Sequence, residues 1–481
     1  MVSSTKEETT VTRPLEITIE SSILMALQNN HSLHVERVKP LVQRTFEDEE
    51  RAVFDPVITG EVSRSREKIG QNDLQTSESK VDQTETSLEV AEYLPTGTKL
   101  SLGITTDRVW RSLYGDEQVT SPDQGTTRAG LSITQALLRG AGIRANLANL
   151  RQARLETFSS QYEFRGFAES IISDVEKTYW DYALAQQRIN IFTESLNLAE
   201  QQMKETEERI KIGVLSEIEL IAAQAEVALR KEDLINARSD LANVRLKLLR
   251  LLNPSVPDLW EEEILLLDQP AVPDIKLDDV NSHVEVALKM RPDLNQAKLQ
   301  LQQSDIEIVK TKNGLLPKMD FFIILGKSGY SDSFGGSLKD LDDDSYDIRA
   351  GINLEYPLFN RSAKARHQRS VFSRDQSDVA LKNLIQLVQL DVLSAYIEIK
   401  RTSEQVLATA ATRKLQEEKM RAETEKFRVG KSTSLLVAQT QRDLTASRIS
   451  EIESIVGYLK SLIELYRLEG SLLERRGIEL F

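Results

Sequence analysis

Apolar residues recur at every third or fourth position over long stretches of the chain, a spacing that places them along one side of a helix. Three such series are present: Ile189, Phe192, Leu196, Ala199, Met203, Thr206 and Ile210; Leu234, Ala237, Leu241, Val244, Leu248 and Leu251; and Ile452, Ile455, Leu459, Leu462 and Tyr466. This sustained spacing predicts coiled-coil packing against another helix. No proline lies between Pro122 and Pro254 or after Pro357, so the helices can be very long. A helix over residues 137–211 would measure about 110 Å, which indicates a helical rod or tube.

Other segments alternate apolar and polar residues, as strands do when only one face is apolar. They read "KLSLGITT" (99–106), "RAGLSIT" (128–134) and "DIRAGINLEY" (347–356). Such strands suit a membrane β-barrel and suit a soluble sandwich almost as well. Because so few strands cannot close a barrel alone and an isolated hairpin is marginal in water, we expect a barrel shared between subunits. The predicted lipid-facing residues are Leu100, Leu102, Ile104, Leu131, Ile133, Ile348, Ile352 and Leu354.

Two glycines interrupt the helical pattern at equivalent places. Gly213 in "ERIKIGVLSEIELIAAQ" and Gly430 in "EKFRVGKSTSLLVAQTQ" lie 217 residues apart, and each is followed three residues later by Ser216 or Thr433. The same offset aligns residues 174–251 with the second half without a gap, which indicates an internal duplication. Each glycine either sits in a continuous helix or, as the repeated Ser/Thr favours, ends a helix that then reverses. In a reversal, glycine takes the left-handed position after the helix and Ser216 or Thr433 caps the returning helix.

The predicted fold is mainly α-helical with a β-barrel part: two repeats, each with a long antiparallel helical hairpin and strands for a shared barrel. An insertion near residues 61–95 of the first repeat is expected to add a β-hairpin and to change the strand count. The predicted boundaries are a flexible segment 1–14; a first repeat 15–252 with a β region at about 53–136, a long helix 137–211 and a return helix 214–252; a linker 253–278; a second repeat 279–473 with a helix 279–314, a β region 317–356, a long helix 358–428 and a return helix 431–473; and a tail 474–481.

Composition narrows the function. The 481 residues are 40% hydrophobic and 28% charged, which is globular, and the net charge of −14 argues against a general nucleic-acid binder. The absence of cysteine excludes disulfides, cysteine-ligated metals and thiol catalysis. The polar N-terminus lacks the apolar core of a signal peptide, so the chain is either cytosolic or has lost its leader. The sequence contains no run of 18 or more apolar residues, so it predicts no transmembrane helix.

Catalytic and metal-binding patterns are weak. His31 and His34 could share one helix face, but without a third ligand nearby they are expected to have a packing or surface role. The acidic run at 340–347 lacks the spacing of an EF-hand and indicates a solvated loop. No phosphate loop or nucleophile elbow occurs, so the sequence predicts no enzyme activity, no cofactor and no metal site.

Several segments resemble the outer-membrane efflux proteins, the TolC-like outer-membrane factors of Gram-negative bacteria. They read "ITQALLRG", "VEKTYWDYALAQQRI", "ERIKIGVLSEIELIAAQAEV", "RPDLNQAKLQLQQSDIEIVKTKNGLLPKMDF", "LEYPLFNRSAKAR" and "FRVGKSTSLLVAQTQRDLTASR". The resemblance implies a homotrimer with a barrel in outer-membrane lipid and a helical tunnel, encircled by an equatorial belt, that crosses the periplasm. It also implies that the tunnel tip docks a periplasmic adaptor joined to an inner-membrane transporter, and that the assembly exports small molecules.

On this resemblance, the tip that docks the adaptor includes Gly213, Ser216, Gly430 and Thr433. Leu436 and Gln439 stand where well-known family members carry acidic gating residues, so Glu217 and Glu219 become the candidate gate. The alternative function is a soluble coiled-coil scaffold with a small β end domain. A membrane channel needs strands with an apolar lipid-facing side, whereas a soluble scaffold does not. The presence of such strands therefore separates the two hypotheses.

Overall fold

The computed structural model describes residues 14–69, 78–114, 119–120, 124–255, 260–273 and 277–479. Its helices are α1 (Ile19–Asn29), α2 (His31–Ala52), α3 (Ile143–Asn146), α4 (Ala148–Lys211), α5 (Glu217–Leu252), α6 (Val280–Met290), α7 (Pro292–Gly314), α8 (Phe334–Lys339), α9 (Arg361–Arg428), α10 (Ser434–Leu468) and α11 (Leu472–Arg475). Its strands are β1 (Leu15–Ile17), β2 (Val57–Ile69), β3 (Glu78–Leu94), β4 (Thr98–Tyr114), β5 (Val119–Thr120), β6 (Gln124–Ala136), β7 (Ile264–Leu266), β8 (Lys318–Ser331) and β9 (Tyr346–Glu355). These elements form two compact units.

The first unit comprises the described parts of residues 1–40, 160–296 and 381–481. Its core is formed by apolar side chains of α1, α4, α5, α9 and α10 and of the short parallel pair β1–β7. Tyr179, Leu248 and Leu465 are among the fully buried residues. The Tyr179 hydroxyl donates a hydrogen bond to the carbonyl of Ile17, so this fully buried side chain also satisfies a backbone group of β1.

Polar contacts between the helices show that the long helices run antiparallel. Between α9 and α10, the contacts Lys419–Asp443, Thr409–Ser454 and Thr402–Ser461 advance along one helix as they retreat along the other. Between α4 and α10, a ladder of ion pairs does the same; it consists of Lys177–Glu464, Asp181–Lys460, Arg188–Glu453 and Glu194–Arg448. The predicted helical hairpins and their helix–helix packing are therefore confirmed.

The second unit comprises residues 41–159 and 297–380 and is organised around one antiparallel sheet. Its strand order is β2-β3-β4-β6-β8-β9, and the two-residue β5 pairs with β4. Strands β2 and β3 form the hairpin that the insertion at 61–95 was expected to add; residues 70–77 between them lie outside the described part. The sheet is open, and β2 and β9 are its edges.

The long helix predicted over 137–211 starts eleven residues too early. Strand β6 ends at Ala136, and the chain then turns at Gly140 and Gly142, whose φ values are +85° and +97°. A helix cannot include these left-handed conformations, so α4 begins only at Ala148. The spacing of apolar residues does not record this turn, because it contains no information on the backbone conformation of single glycines.

The helix predicted over 279–314 is two helices. Arg291 between α6 and α7 has φ −57° and ψ 123°, an extended conformation. The ring of Pro292 disfavours the helical conformation in the residue before it, which explains the break. The return helices also begin later than predicted, at Glu217 and Ser434 rather than 214 and 431, and the second long helix begins at Arg361 rather than 358.

The C-terminal return helix is shorter than predicted, and the predicted tail and linker contain regular structure. The return helix was predicted to extend to residue 473 but ends at Leu468. Gly470, with φ +70°, follows it, and α11 comes next with Leu472 and Leu473 buried. In the predicted tail, Arg476 pairs with the buried Glu176. The predicted linker 253–278 contains β7, while residues 256–259 and 274–276 of it, like residues 1–13, 480 and 481, lie outside the described chain. The division into two sequence repeats stays a prediction.

Candidate functional site

The first candidate surface is formed by the two turns that join the long helices to their return helices. Gly213 and Gly430 have φ values of +75° and +74°, so the predicted left-handed conformation is confirmed. At the first turn, Gly213 N donates to Ile210 O and Val214 N donates to Arg209 O, both at 2.9 Å. At the second turn, Gly430 and Lys431 make the equivalent bonds to Phe427 and Lys426. This pair of bonds is the Schellman motif, which satisfies the last carbonyls of a helix.

The two return helices are capped differently. Thr433 Oγ1 accepts a hydrogen bond from the backbone N–H of Leu436, as predicted for a capping residue. Ser216 occupies the equivalent N-cap position with an extended backbone, but its side chain makes no capping hydrogen bond. The prediction for Ser216 is therefore right in position and wrong in the hydrogen bond.

The candidate gate residues differ in their surroundings. Glu217 is exposed, whereas Glu219 is half-buried and its carboxylate accepts a hydrogen bond from the Ser434 hydroxyl. Ser434 is the first residue of α10, so Glu219 of the first hairpin binds the turn of the second. The structure thus brings one of the two predicted acidic residues to the opposite turn and leaves the other in solvent.

Two charged residues on the helices of the hairpins were not predicted from the sequence. Glu423 of α9 accepts hydrogen bonds from Ser432 and Lys426, and these bonds hold the pKa of its carboxyl below the usual range. Arg230 of α5 is buried and pairs with Glu226 at 2.6 Å and with Asp233 at 2.9 Å. Glu423 with Lys426, and Arg230 with Glu226 and Asp233, are spaced three or four residues apart, which allows ion pairs on a helix. Oppositely charged residues at this spacing are common on helices, so the sequence did not distinguish these pairs from others.

Apolar side chains are exposed around both turns. Contiguous exposed apolar surface on a protein marks a site that contacts another molecule. The residues are Ile212, Val214, Ile218 and Ile221 at the first turn and Val429, Leu435 and Leu436 at the second.

The second candidate surface is one face of the sheet in the second unit. Residues that are direct cross-strand partners share a face. One row of partners crosses all six long strands and is apolar throughout: Ile58, Val90, Leu102, Leu131, Leu325 and Ile348. The next row includes Leu100, Ile133 and Ile323. All eight predicted lipid-facing residues lie on this face, which is the arrangement that a lipid-facing surface requires.

The opposite face is mostly small and polar, with Phe322 and Ile324 of β8 among its large apolar exceptions. Its central row is Thr59, Glu89, Gly103, Gly130, Gly326 and Asp347. Arg128 donates to Asp347 at 2.6 Å and its guanidinium lies over Gly326, where an added Cβ would come within 2.9 Å of the Arg128 Nε. Gly326 is therefore required by the ion pair that crosses it, a relation that the sequence alone did not reveal.

Buried ionisable groups in the first unit have a structural role. Burial raises the pKa of the Glu169 carboxyl to about 7, although the neighbouring Arg165 favours its charged form. Burial also opposes ionisation of Glu464, but hydrogen bonds from Arg467 and Lys177 outweigh it and hold this pKa at about 2. His283 Nδ1 lies 2.6 Å from a carboxylate oxygen of Glu469.

The remaining three histidines contact protein groups, and His367 Nδ1 is 3.2 Å from the Thr311 hydroxyl. His34 Nε2 is 2.7 Å from the carbonyl of Gln28, and His31 Nε2 is 3.3 Å from the Asn253 amide. Within the described residues, no group of three or more acidic, histidine or cysteine side chains could hold a metal ion. None of the described helices has an apolar stretch long enough to cross a lipid bilayer.

Comparison with known proteins gives a family match over most of the chain. The model of the family described as outer membrane efflux protein matches residues 23–254 and 284–471. The pyoverdine export outer membrane protein OpmQ of Pseudomonas aeruginosa is 21% identical over 424 residues, which are 84% of this chain and 83% of OpmQ. The probable efflux pump outer membrane protein TtgC of Pseudomonas putida is 24% identical over 371 residues, 76% of this chain and 73% of TtgC.

A solved structure shares the fold. The outer-membrane channel OprN superposes with a TM-score of 0.71 at 16% identity and covers 94% of this chain and 90% of the OprN chain. The predicted fold class, long helical hairpins with a β part, is confirmed by this likeness.

Proposed function

The chain belongs to the outer membrane efflux protein family, and from this premise we propose that it is the exit duct of a tripartite efflux or secretion system. Three copies form a channel in the outer membrane of a Gram-negative bacterium that extends into the periplasm and exports small molecules. Family members are transport channels, so the chain needs no catalytic residue and no cofactor for this role.

The observation that carries the proposal is the two-sided sheet of the second unit. One face presents an apolar row across six strands, and the other is mostly glycine, serine, threonine and charged residues, including an ion pair. A closed membrane barrel has this division, with apolar residues toward lipid and small or polar residues toward water. The alternative function, a soluble scaffold, does not use an apolar sheet face, and family membership argues against it.

The turns around Gly213 and Gly430 are proposed to dock the periplasmic adaptor, which connects the duct to an inner-membrane transporter. Their exposed apolar side chains and the hydrogen bond between Glu219 and Ser434 support this proposal. Both turns belong to one compact unit, so a single partner can contact them together. Glu217 and Glu219 are proposed to line the entrance at this end.

The experiment is purification in detergent followed by native mass measurement and recording in planar bilayers. We expect a particle of three chains, each of 54.3 kDa, that precipitates when detergent is removed and that conducts ions after insertion. A monomer that stays soluble without detergent and never conducts would contradict the proposal and favour the scaffold.

A further inference from the structure

We propose that each chain contributes six strands to the shared barrel, so that three copies close a barrel of 18 strands. In this arrangement β2 of one copy pairs with β9 of the next. The inference rests on the proposed function and concerns the interface between copies, with a second copy of this chain as the partner. It gives the β2–β3 hairpin a role that neither the family match nor the relatives assign.

Strands β2 and β3 belong to the same sheet as the other long strands. Strand β3 pairs with β4 along its whole length, from Glu78 opposite Tyr114 to Leu94 opposite Thr98. Strand β2 pairs with β3 from Val57 to Ile69. The hairpin is therefore a continuation of the sheet by two strands.

Both faces of the sheet continue into the β2–β3 hairpin. On the apolar face, Ile58 of β2 and Val90 of β3 are in register with Leu102 of β4. On the polar face, Thr59 and Glu89 are in register with Gly103. A hairpin lying in water outside the barrel has no reason to keep an apolar side that matches the lipid-facing side of its neighbours.

The two edge strands of the sheet, β2 and β9, have the directions and the exposure that pairing between copies requires. All neighbouring strands are antiparallel, so in a path of six strands β2 and β9 run in opposite directions. The β9 edge of one copy can therefore pair antiparallel with the β2 edge of another, and the same contact repeated three times closes a ring. Apolar residues at these edges are highly exposed, with Val62 at 75% and Ile348 at 66%. An unpaired edge strand is unfavourable in lipid, because its backbone N–H and C=O groups cannot form hydrogen bonds with water there.

The consequence is a wide exit. Strands about 4.8 Å apart and tilted by about 40° give 18 strands a barrel diameter of about 36 Å, against about 24 Å for 12 strands. Twelve is the number that β4, β6, β8 and β9 alone would supply from three copies. The extra hairpin thus increases the barrel diameter by about half, so the barrel admits larger molecules.

The direct test is single-particle imaging of the full chain, purified as a trimer in detergent, at a resolution that separates strands. We expect 18 strands with β2 and β9 as neighbours across each interface. A trimer with 12 strands and the hairpin outside the ring would overturn the inference while leaving the channel function intact. Failure to find any trimer would overturn both.

Disulfide cross-linking provides a second test, and it is clean because the natural chain has no cysteine. Closure of a barrel offsets neighbouring strands, so Ala350→Cys on β9 is combined in turn with Ile58→Cys, Gly60→Cys and Val62→Cys on β2. These positions share the apolar face, and within one copy β2 and β9 are separated by five strand spacings, about 24 Å, so only bonds between copies can form. Oxidation should give covalent trimers on a denaturing gel in at least one pair.

The matched control combines Ala350→Cys with Leu102→Cys on β4. Under the proposal β4 is covered on both sides by β3 and β6, and this pair gives no cross-link. Cross-linking through β4 with none through β2 would show that β9 meets the next copy at β4. That result would reject the 18-stranded barrel.

Discussion

At the scale of single residues, glycine serves two different purposes in this chain. A Cβ added to Gly213 or Gly430 meets nothing within 4 Å, so only the positive φ requires glycine there. A Cβ added to Gly326 would lie 2.4 Å from Asp347, so there the close side chain requires it. The requirement for glycine at positions 213 and 430 is a local property of a helix end. The requirement at position 326 depends on strands that are distant in sequence.

Replacement of both turn glycines by alanine should weaken export while trimers still assemble. Alanine in the left-handed conformation costs about 1 kcal/mol at each turn, and the open space around both positions excludes a steric contribution. The measurement is efflux of a dye by cells together with trimer yield. Asparagine at the same positions is the control, since it tolerates this conformation, and should restore most export. Normal export by the double alanine variant would mean that the turn conformation is not used.

Glu169 predicts a pH dependence of stability. Burial raises the pKa of the Glu169 carboxyl to about 7 from its usual value of 4.5, so between these values the folded state retains a proton that the unfolded state has lost. The stability that this group provides is complete below about pH 4.5 and is lost as the pH rises through about 7. Glu169→Gln should therefore gain in melting temperature relative to the natural protein between pH 5 and pH 8, measured by circular dichroism in detergent.

Glu464 is the matched control for this experiment, because its pKa is shifted in the opposite direction, to about 2. Its stabilising contribution is present above about pH 4.5 and disappears only as the pH falls toward 2. Glu464→Gln should lower the melting temperature by a similar amount at pH 5 and pH 8. If the Glu169→Gln difference were also constant over this range, the carboxyl would not titrate as proposed.

At the scale of elements, the alternation of strand β9 assigns its two faces. Ile352 is exposed on the apolar face, and Asn353 lies on the other face opposite Asp320. Ile352→Arg should impair membrane assembly, since arginine toward lipid costs about 2–4 kcal/mol near the midplane. Asn353→Arg should be tolerated in a watery lumen beside an acidic strand neighbour. Heat-resistant trimers on a gel provide the measurement, and equal yields of the two variants would reject the assigned faces.

At the scale of the whole molecule, a trimer repeats each charged residue three times. Glu217 and Glu219 would then form a concentrated negative charge that favours cations at the entrance. Replacement of both by glutamine should lower the cation preference measured from reversal potentials in single-channel recordings. The exposed Glu217 should contribute more than Glu219, whose carboxylate already accepts a hydrogen bond from Ser434. Unchanged selectivity in the double variant would remove both residues from the gate.

The sequence by itself determined the features that depend on neighbours along the chain. Helix periodicity, strand alternation and the left-handed glycines at 213 and 430 are local, and together with the resemblance they predicted the fold class and the family. Several helix ends were predicted at the wrong residue. Gly140, Gly142 and Pro292 each change the backbone conformation at one position, and the spacing of apolar residues does not record such a change.

Only the tertiary structure decided which distant residues meet. The register of six strands, the ion pair of Arg128 and Asp347 over Gly326, and the contact of Glu219 with Ser434 join segments that are distant in sequence, 219 residues apart for Arg128 and Asp347. Burial of Glu169 likewise depends on several packed elements. Such contacts are selected by the packing of the whole unit, since the local pattern is compatible with many registers and only one of them satisfies both faces of the sheet.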